Sequence, residues 1–282
     1  MGKMLGLLLA VLAIATVYMF LSRAWFPEVI SEHGPALDAQ FKRTLVVVGI
    51  AFTLAQLALG YAVFRFGRRG KERAAYTHGS NKLEATWTII TAVIFITLAV
   101  LGQRVWAQMH LQQAPEGAIK INLMTQQFQF NFHYPGPDKL FGRTDPKYMD
   151  DSSLNYVGLD TEHDPNAVDD IQTTTLVIPV NHPVELTMRS KDVIHNFFVP
   201  VFRFKQDTVP GMSIKVHFTA TKTGKYDVVC AELCGQLHYN MRTSVLIVPQ
   251  DEYDRLSEMP KDAFTQRVTE LLASAVNTAQ AQ

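Results

Sequence analysis

Long apolar runs occupy the first part of the chain, and short alternating runs occupy most of the rest. Three apolar runs stand out, at Met4–Leu21, Thr44–Phe64 and Ala85–Ala107. Each is close to the length of about 20 residues that a helix needs to cross a bilayer. The pattern therefore predicts transmembrane helices, followed by a polar domain.

The segment between the second and third apolar runs sets the expected topology. Residues 65–73 contain five Lys and Arg side chains. Short loops rich in these residues stay on the cytoplasmic side of the membrane. We therefore predict a transmembrane hairpin over residues 40–110 with a cytoplasmic loop at residues 65–83. The chain after about Met109 is then expected on the outer face.

The first apolar segment, residues 1–25, allows two interpretations. Lys3 gives it a positive start, and its apolar stretch is typical of a signal-peptide core. An uncleaved transmembrane helix with a cytoplasmic N-terminus fits the same topology. Ser22–Trp25 is a poor cleavage site, which favours the retained helix.

Past residue 118 the apolar positions recur with a period of two, which is typical of strands. Phe128, Phe130 and Phe132 alternate with polar residues. Further short runs lie at Thr174–Ile178, Val184–Met188, Ile194–Val199, Ile214–Thr219, Lys225–Val229 and Thr243–Val248. Short strands separated by Gly and Pro turns predict an all-β sandwich or barrel over residues 116–250.

Two segments depart from the strand pattern. Residues 138–170 form a polar insertion rich in aspartate. A solvated loop is the simpler interpretation of this insertion, and a docking surface is the sharper one. Residues 251–282 are predicted to form a polar helical tail.

Charge is unevenly distributed along the 282 residues. Residues 1–110 hold 11 Lys and Arg against 5 Asp and Glu, whereas residues 111–282 hold 15 against 21. A mildly acidic outer domain favours a basic partner. It has no basic stripe, so nucleic acid is not an expected partner.

The two cysteines of the chain, Cys230 and Cys234, share one short segment with His238 and Met241. Sulfur and imidazole donors at this density suit copper better than magnesium or calcium. A Cys230–Cys234 disulfide is an alternative in an outer compartment, as are two buried free thiols. The nearby His238 and Met241 favour a metal.

A second imidazole is expected from another strand. His195 lies in an apolar run, where a lone histidine is usually a core residue, but the loop downstream favours it as a ligand. The other histidines of the domain lack such context and are predicted to be structural or exposed. They are His133, His163, His182 and His217.

Two thiols and two imidazoles exceed the needs of a mononuclear blue-copper site, which uses one Cys and two His. Two bridging thiolates can hold two coppers, each capped by one imidazole. Met241 and a backbone carbonyl would then be weak axial ligands. Such a centre shares one unpaired electron over both metals and changes shape little on reduction. It therefore predicts an electron relay and not a site that binds substrate.

Glu84 opens the third apolar run. It is either an interface residue in contact with water or a proton-uptake group, since ionisable residues at membrane depth are often functional.

The pattern Cys-x-Glu-x-Cys-x3-His-x2-Met over residues 230–241, with His195 upstream and two membrane helices before it, resembles subunit II of haem–copper cytochrome c oxidase. The resemblance covers about residues 40–250. It implies a cupredoxin-like domain that carries the binuclear copper centre CuA.

The resemblance also implies a role for each site residue. The side-chain ligands of the two coppers would be His195, Cys230, Cys234, His238 and Met241. Glu232 would ligate copper through its main-chain carbonyl, and its side chain would hold magnesium or manganese at the interface with subunit I. Glu84 matches the family's glutamate at the mouth of a proton-uptake channel.

The implied function is that of the electron-accepting subunit of a proton-pumping terminal oxidase. Electrons would arrive from cytochrome c or a similar haem carrier and pass to haem a in subunit I. There haem a3 and CuB reduce oxygen to water. Subunit III is a further implied partner, and the implied location is the bacterial inner membrane, as a multi-pass protein with the CuA domain on the periplasmic face.

Two departures from the family pattern bear on the donor. The aromatic stretch at residues 127–134, where electrons are expected to arrive, contains Phe128 but no tryptophan. No Cys-x-x-Cys-His haem-attachment motif occurs, so the donor is expected to be a separate protein. Residues 136–145 look like bacterial relatives, some of which pair with an alternative quinol-oxidising complex.

Three other classes of protein share part of this pattern. A thioredoxin-type reductase or copper chaperone would lack the His238 and Met241 continuation. A quinol oxidase subunit would lack the copper ligands that this chain keeps. A CuA-bearing nitric oxide reductase subunit would differ only in the active site of its partner.

Overall fold

The computed structural model describes residues 2–22, 26–67, 76 and 78–280. It divides into a helical unit, residues 1–27 and 36–107, and a second unit, residues 28–35 and 108–282. The basic part of the predicted cytoplasmic loop at 68–75 and most of the weak cleavage site at 22–25 lie outside the described residues.

Three long helices follow the three apolar runs. They are α1 (Gly2–Leu21), α2 (Gly34–Phe66) and α3 (Asn81–His110). Within the described part of the chain, all three are long and apolar enough to cross a membrane. α2 and α3 are longer than the apolar runs that predicted them, because polar turns extend both helices at their ends.

Glycine sets the packing of α1 on α2. A Cβ atom at Gly6 would lie 2.5 Å from the carbonyl oxygen of Gly60 and 2.8 Å from Cβ of Phe64. The two backbones therefore approach closely only because residue 6 has no side chain. α3 is tied to α2 by the Gln40 amide, which donates to the Leu98 carbonyl over 3.2 Å.

The second unit is built around two five-stranded sheets. The first sheet has the order β3-β2-β1-β5-β8, and the second has the order β4-β10-β9-β6-β7. The strands are β1 (Ile119–Gln126), β2 (Gln129–Tyr134), β3 (Ile171–Thr173), β4 (Leu176–Pro179), β5 (Pro183–Ser190), β6 (His195–Val199), β7 (Phe204–Thr208), β8 (Ile214–Thr219), β9 (Gly224–Val229) and β10 (Arg242–Val248). β1 pairs parallel to β5 and β10 parallel to β4, while the other named pairs are antiparallel.

The core of this unit is aromatic. Phe130 and Phe132 of β2 make edge contacts with Phe197 of β6, which links the two sheets. All three side chains are almost completely buried. These ring contacts place an apolar core between the two sheets. The predicted fold class, transmembrane helices followed by a β-sandwich, is confirmed.

The polar insertion is more ordered than a solvated loop. Asp170 is buried and contacts Nε2 of His133 at 2.6 Å, while it also accepts from the backbone N–H of Gly142. Asp160 is buried beside Arg143 and His163. The aspartates of the insertion therefore serve largely as hydrogen-bond acceptors within the domain. This use weakens the case for the insertion as a docking surface.

Two helices end the chain, α4 (Gln250–Ser257) and α5 (Lys261–Gln280). Phe264 of α5 is buried against Tyr134, so the start of the tail packs on the sandwich. The residue limits predicted for each domain stay predictions.

Candidate metal centre

The loop between β9 and β10 folds back on itself and closes at its base. The backbone N–H of Cys230 donates to the Met241 carbonyl over 3.0 Å. A short 3-10 turn at His238–Asn240 precedes Met241. Gly235 has a φ of +138°, a backbone conformation that glycine adopts without strain. The loop therefore turns its donors inward over a short length of chain.

The sulfur donors of this loop converge. The Sγ atoms of Cys230 and Cys234 lie 3.8 Å apart, and both thiols are free. From Cys234 Sγ, the Nδ1 atom of His238 is 3.6 Å away and Sδ of Met241 is 3.7 Å away. The Glu232 carbonyl oxygen lies 3.2 Å from Cys230 Sγ. The structure thus brings together every donor that the loop was predicted to supply.

His195 reaches the same place from β6. One ring nitrogen of His195 and the Sγ atoms of Cys230 and Cys234 all lie within 4.8 Å of one another. The ring is completely buried, yet its Nδ1 atom has no hydrogen-bond partner of good geometry. A buried polar atom without a partner is unfavourable unless something else satisfies it. The donor set and this orphaned nitrogen fit a copper centre.

Charge at the two thiols is unequal. Burial opposes ionisation of Cys230, but the neighbouring His195 ring and Asn196 backbone outweigh it and lower the pKa of this thiol. Burial, followed by the negative charge of Cys230, raises the pKa of the Cys234 thiol. Cys230 is therefore the more readily ionised of the two thiols.

Two residues that sequence reasoning missed support the ligands. Asp192 contacts Nε2 of His195 at 2.8 Å and also accepts from the backbone N–H of Gln127 at 2.7 Å. The Gln127 side chain donates to the Cys234 carbonyl over 2.6 Å. Asp192 stands three residues before His195 in the sequence, and that spacing was the one available signal.

The remaining candidate residues lie at other positions. Phe128 is partly buried, and its Cζ atom lies 3.0 Å from where a Cβ of residue 235 would stand. The side chain of Glu232 is exposed. Glu84 belongs to the helical unit, in the first turn of α3.

A two-sheet sandwich with a buried cluster of cysteine, histidine and methionine donors, carried by a chain with membrane-spanning helices, defines a membrane-anchored protein of the cupredoxin-like class. The comparisons with known proteins narrow this class. The family model described as "Cytochrome C oxidase subunit II, periplasmic domain" matches residues 121–248. The corresponding transmembrane-domain model matches residues 9–105.

Relatives match along most of their length. The "Alternative cytochrome c oxidase subunit 2" of Bradyrhizobium diazoefficiens is 35% identical over 258 residues, which cover 91% of this chain and 91% of the relative. The cytochrome c oxidase subunit 2 of Cereibacter sphaeroides is 30% identical over 223 residues, or 74% of this chain and 71% of the relative. The crystal structure of the periplasmic domain of subunit II from Bradyrhizobium japonicum shares 27% identity, covering 54% of this chain and 99% of that domain, with a TM-score of 0.39.

The chain belongs to the cytochrome c oxidase subunit II family. The resemblance inferred from residues 230–241 is therefore confirmed, and membership of this family implies copper.

Proposed function

We propose that the chain is the electron-accepting subunit of a proton-pumping terminal oxidase. Family membership supports this role. The single observation that carries it is the convergence of the donors from His195 and the β9–β10 loop, with the two Sγ atoms 3.8 Å apart. Cytochrome c or a similar haem carrier would supply electrons, and haem a of subunit I would receive them for the reduction of oxygen to water.

The residues that would hold the metal are those brought together by the loop and β6. Five side chains are proposed ligands, and Glu232 would contribute its carbonyl oxygen. The five are His195, Cys230, Cys234, His238 and Met241. Copper held by these residues would supply one-electron transfer. The protein contributes a prearranged, mostly buried set of soft donors.

The exposed side chain of Glu232 supports a second, shared metal. Its carbonyl faces Cys230, while its carboxylate is free to reach outward. Carboxylate oxygens are the ligands that magnesium and manganese prefer. We propose that Glu232 holds such an ion at the interface with subunit I.

Phe128 is the proposed point at which electrons arrive. Its ring lies against the backbone of Gly235, the residue that follows Cys234. Phenylalanine keeps an apolar contact but lacks an indole N–H. We expect Phe128→Leu to slow reduction by cytochrome c while the copper content stays the same. A Leu variant reduced at the original rate would remove Phe128 from the path.

Glu84 is the proposed proton-uptake group. It lies in the first turn of α3, a helix long and apolar enough to cross a membrane. In the assembled oxidase, Glu84→Ala should slow turnover and leave reduction of the copper centre unchanged. Unchanged turnover would make Glu84 an ordinary interface residue.

The proposed setting is the bacterial inner membrane, with the sandwich on the periplasmic side. Subunits I and III would be the membrane partners. An alternative quinol-oxidising complex is a second candidate source of electrons, because residues 136–145 are similar to those of bacterial relatives, some of which pair with such a complex.

Copper loading of the purified full chain in detergent tests the proposal. Two coppers per chain and a seven-line mixed-valence EPR signal would support it. One copper, or none together with a Cys230–Cys234 disulfide, would overturn the binuclear assignment. His238→Ala serves as the matched variant, because it removes one proposed ligand and leaves both thiols in place.

A further inference from the structure

Gln127 lies at the tip of the hairpin between β1 and β2, on the sheet opposite to the copper ligands. β1 ends at Gln126 and β2 begins at Gln129, and these two residues pair across the turn. Gln127 and Phe128 therefore form a two-residue connection. His195 and the β9–β10 loop belong to the second sheet, so contacts at this tip join the two sheets at the metal centre.

Both polar groups of Gln127 engage the copper site. Its side-chain Nε2 donates to the Cys234 carbonyl over 2.6 Å, and its backbone N–H donates to Oδ2 of Asp192 over 2.7 Å. The other oxygen of Asp192 lies 2.8 Å from Nε2 of His195. A continuous chain of hydrogen bonds thus runs from the carbonyl of one proposed ligand to the imidazole of another.

Close packing supports this series of hydrogen bonds. A Cβ atom at residue 235 would lie 2.8 Å from Nε2 of Gln127 and 3.0 Å from Cζ of Phe128. The hairpin tip therefore sits directly on the loop backbone next to Cys234. Gln127 is nevertheless an exposed residue, so burial alone does not dictate where its amide points.

We propose that Gln127 is a positioning residue. It fixes the position of Cys234 relative to His195 and keeps Phe128 against the loop between β9 and β10. The inference rests on the proposed function, because the relative position of Cys234 and His195 matters only if these residues bind copper and accept electrons. Groups that orient metal ligands through hydrogen bonds typically change metal affinity by about 10- to 100-fold when removed. The side-chain amide is the part that substitution can remove while the backbone hydrogen bond to Asp192 stays.

The test compares Gln127→Met with Gln129→Met in the full chain. Methionine keeps the length of the side chain and removes the amide donor. Gln129 lies across the same turn, and its amide donates to Asn131 within β2. Gln127→Glu is a second variant, which keeps shape and polarity but replaces the donor with an acceptor.

Two readouts are needed. In the copper-loaded chain, both Gln127 variants should bind copper about tenfold more weakly and show a shifted visible and EPR spectrum. In the metal-free chain, alkylation of the Cys234 thiol by iodoacetamide should be several-fold faster than in the wild type. The Gln129→Met chain should match the wild type in both readouts.

The outcomes separate this inference from the proposed function. An unchanged spectrum, affinity and alkylation rate in both Gln127 variants would overturn it, as would equal effects in Gln129→Met, which indicate a general loosening of the hairpin. If the wild-type chain fails to bind two coppers, the proposed function fails. The metal-free alkylation rates still decide whether Gln127 positions Cys234.

Discussion

The Asp192 carboxylate lies 2.8 Å from Nε2 of His195, a ring that is completely buried. Because this contact occupies one ring nitrogen, the other nitrogen, Nδ1, is left to face the two thiols. Burial lowers the pKa of His195, but the neighbouring Asp192 carboxylate and Cys230 thiol outweigh it and raise the pKa above the ordinary value. Asp192 therefore fixes which nitrogen is offered to a metal.

Removing this carboxylate should weaken metal binding. We expect Asp192→Ala to reduce copper affinity by about 10- to 100-fold, because the imidazole loses the group that orients it. The copper affinity of Asp192→Asn should lie between those of Asp192→Ala and the wild type, since the amide oxygen still accepts from Nε2 of His195. Competition with a chelator of known affinity measures the change.

The matched control is Asp227→Ala, at an exposed position of β9. It changes the net charge of the domain by the same amount at a site away from His195 in the sheet register. Equal losses of affinity in the two Ala variants would mean that overall charge, and not orientation of His195, is responsible.

Features encoded within one short segment of the chain could be predicted from the sequence. Residues 230–241 hold most of the proposed ligands, so their spacing along one loop sufficed to predict them. β1 was not predicted because the alternation that begins at Ile119 ends at Leu123, and the polar Thr125 and Gln126 that follow are nevertheless buried. β7 escaped because Lys205, Gln206 and Asp207 make its centre polar.

The supporting residues were out of reach for a different reason. Gln127 meets Cys234 only because a hairpin of one sheet lies against a loop of the other. No spacing in the sequence encodes that approach. The other supporting residue, Asp192, is close to His195 in sequence, but its role depends on the turn that precedes β6.

Met241 should tune the centre without being needed for metal retention. It is buried, with Sδ 3.7 Å from Cys234 Sγ. Met241→Leu keeps a similar volume, a change that usually costs less than about 1.5 kcal/mol in a core. We expect copper to be retained and electron transfer from reduced cytochrome c to slow, because a weakly held thioether beside the metal would adjust the redox potential.

Metal analysis and stopped-flow reduction measure these two properties. Met188→Leu, in the buried centre of β5, controls for the general effect of the substitution. Complete loss of copper from Met241→Leu, but not from Met188→Leu, would show that Met241 is needed to retain the metal.

The insertion should make the stability of the outer domain depend on pH in the acidic range. A hydrogen bond from Arg143 lowers the pKa of Asp160 from 3.8 to about 2. Since the pKa is lower in the folded state, the ionised carboxylate stabilises the fold above the unfolded-state pKa. That contribution is lost as the pH falls from 3.8 to about 2. Asp160→Asn should be less stable than the wild type at neutral pH and should lose less stability across this acidic window.

Urea unfolding at neutral pH and at several acidic values measures the difference. Glu162→Gln, an exposed neighbour in the insertion, is the control for the loss of one negative charge. A constant gap between Asp160→Asn and the wild type down to about pH 2 would show that Arg143 does not set the acid response.

The packing of α1 on α2 predicts how the first helix behaves in the membrane. A methyl group at residue 6 would lie 2.5 Å from the Gly60 carbonyl oxygen and 2.9 Å from the Phe64 backbone nitrogen. Because these atoms belong to the backbone, Gly6→Ala should force the two helices apart and cost roughly 1–3 kcal/mol, the usual range for overpacking. Gly49→Ala is the matched control, since a Cβ at that position of α2 meets nothing within 4 Å. Thermal unfolding in detergent, with intact mass to verify that α1 is present, should show a loss for Gly6→Ala only. Equal stability of the two variants, with α1 still attached, would mean that the first helix does not pack on α2, and a mature chain beginning beyond Leu21 would instead identify residues 1–25 as a signal peptide.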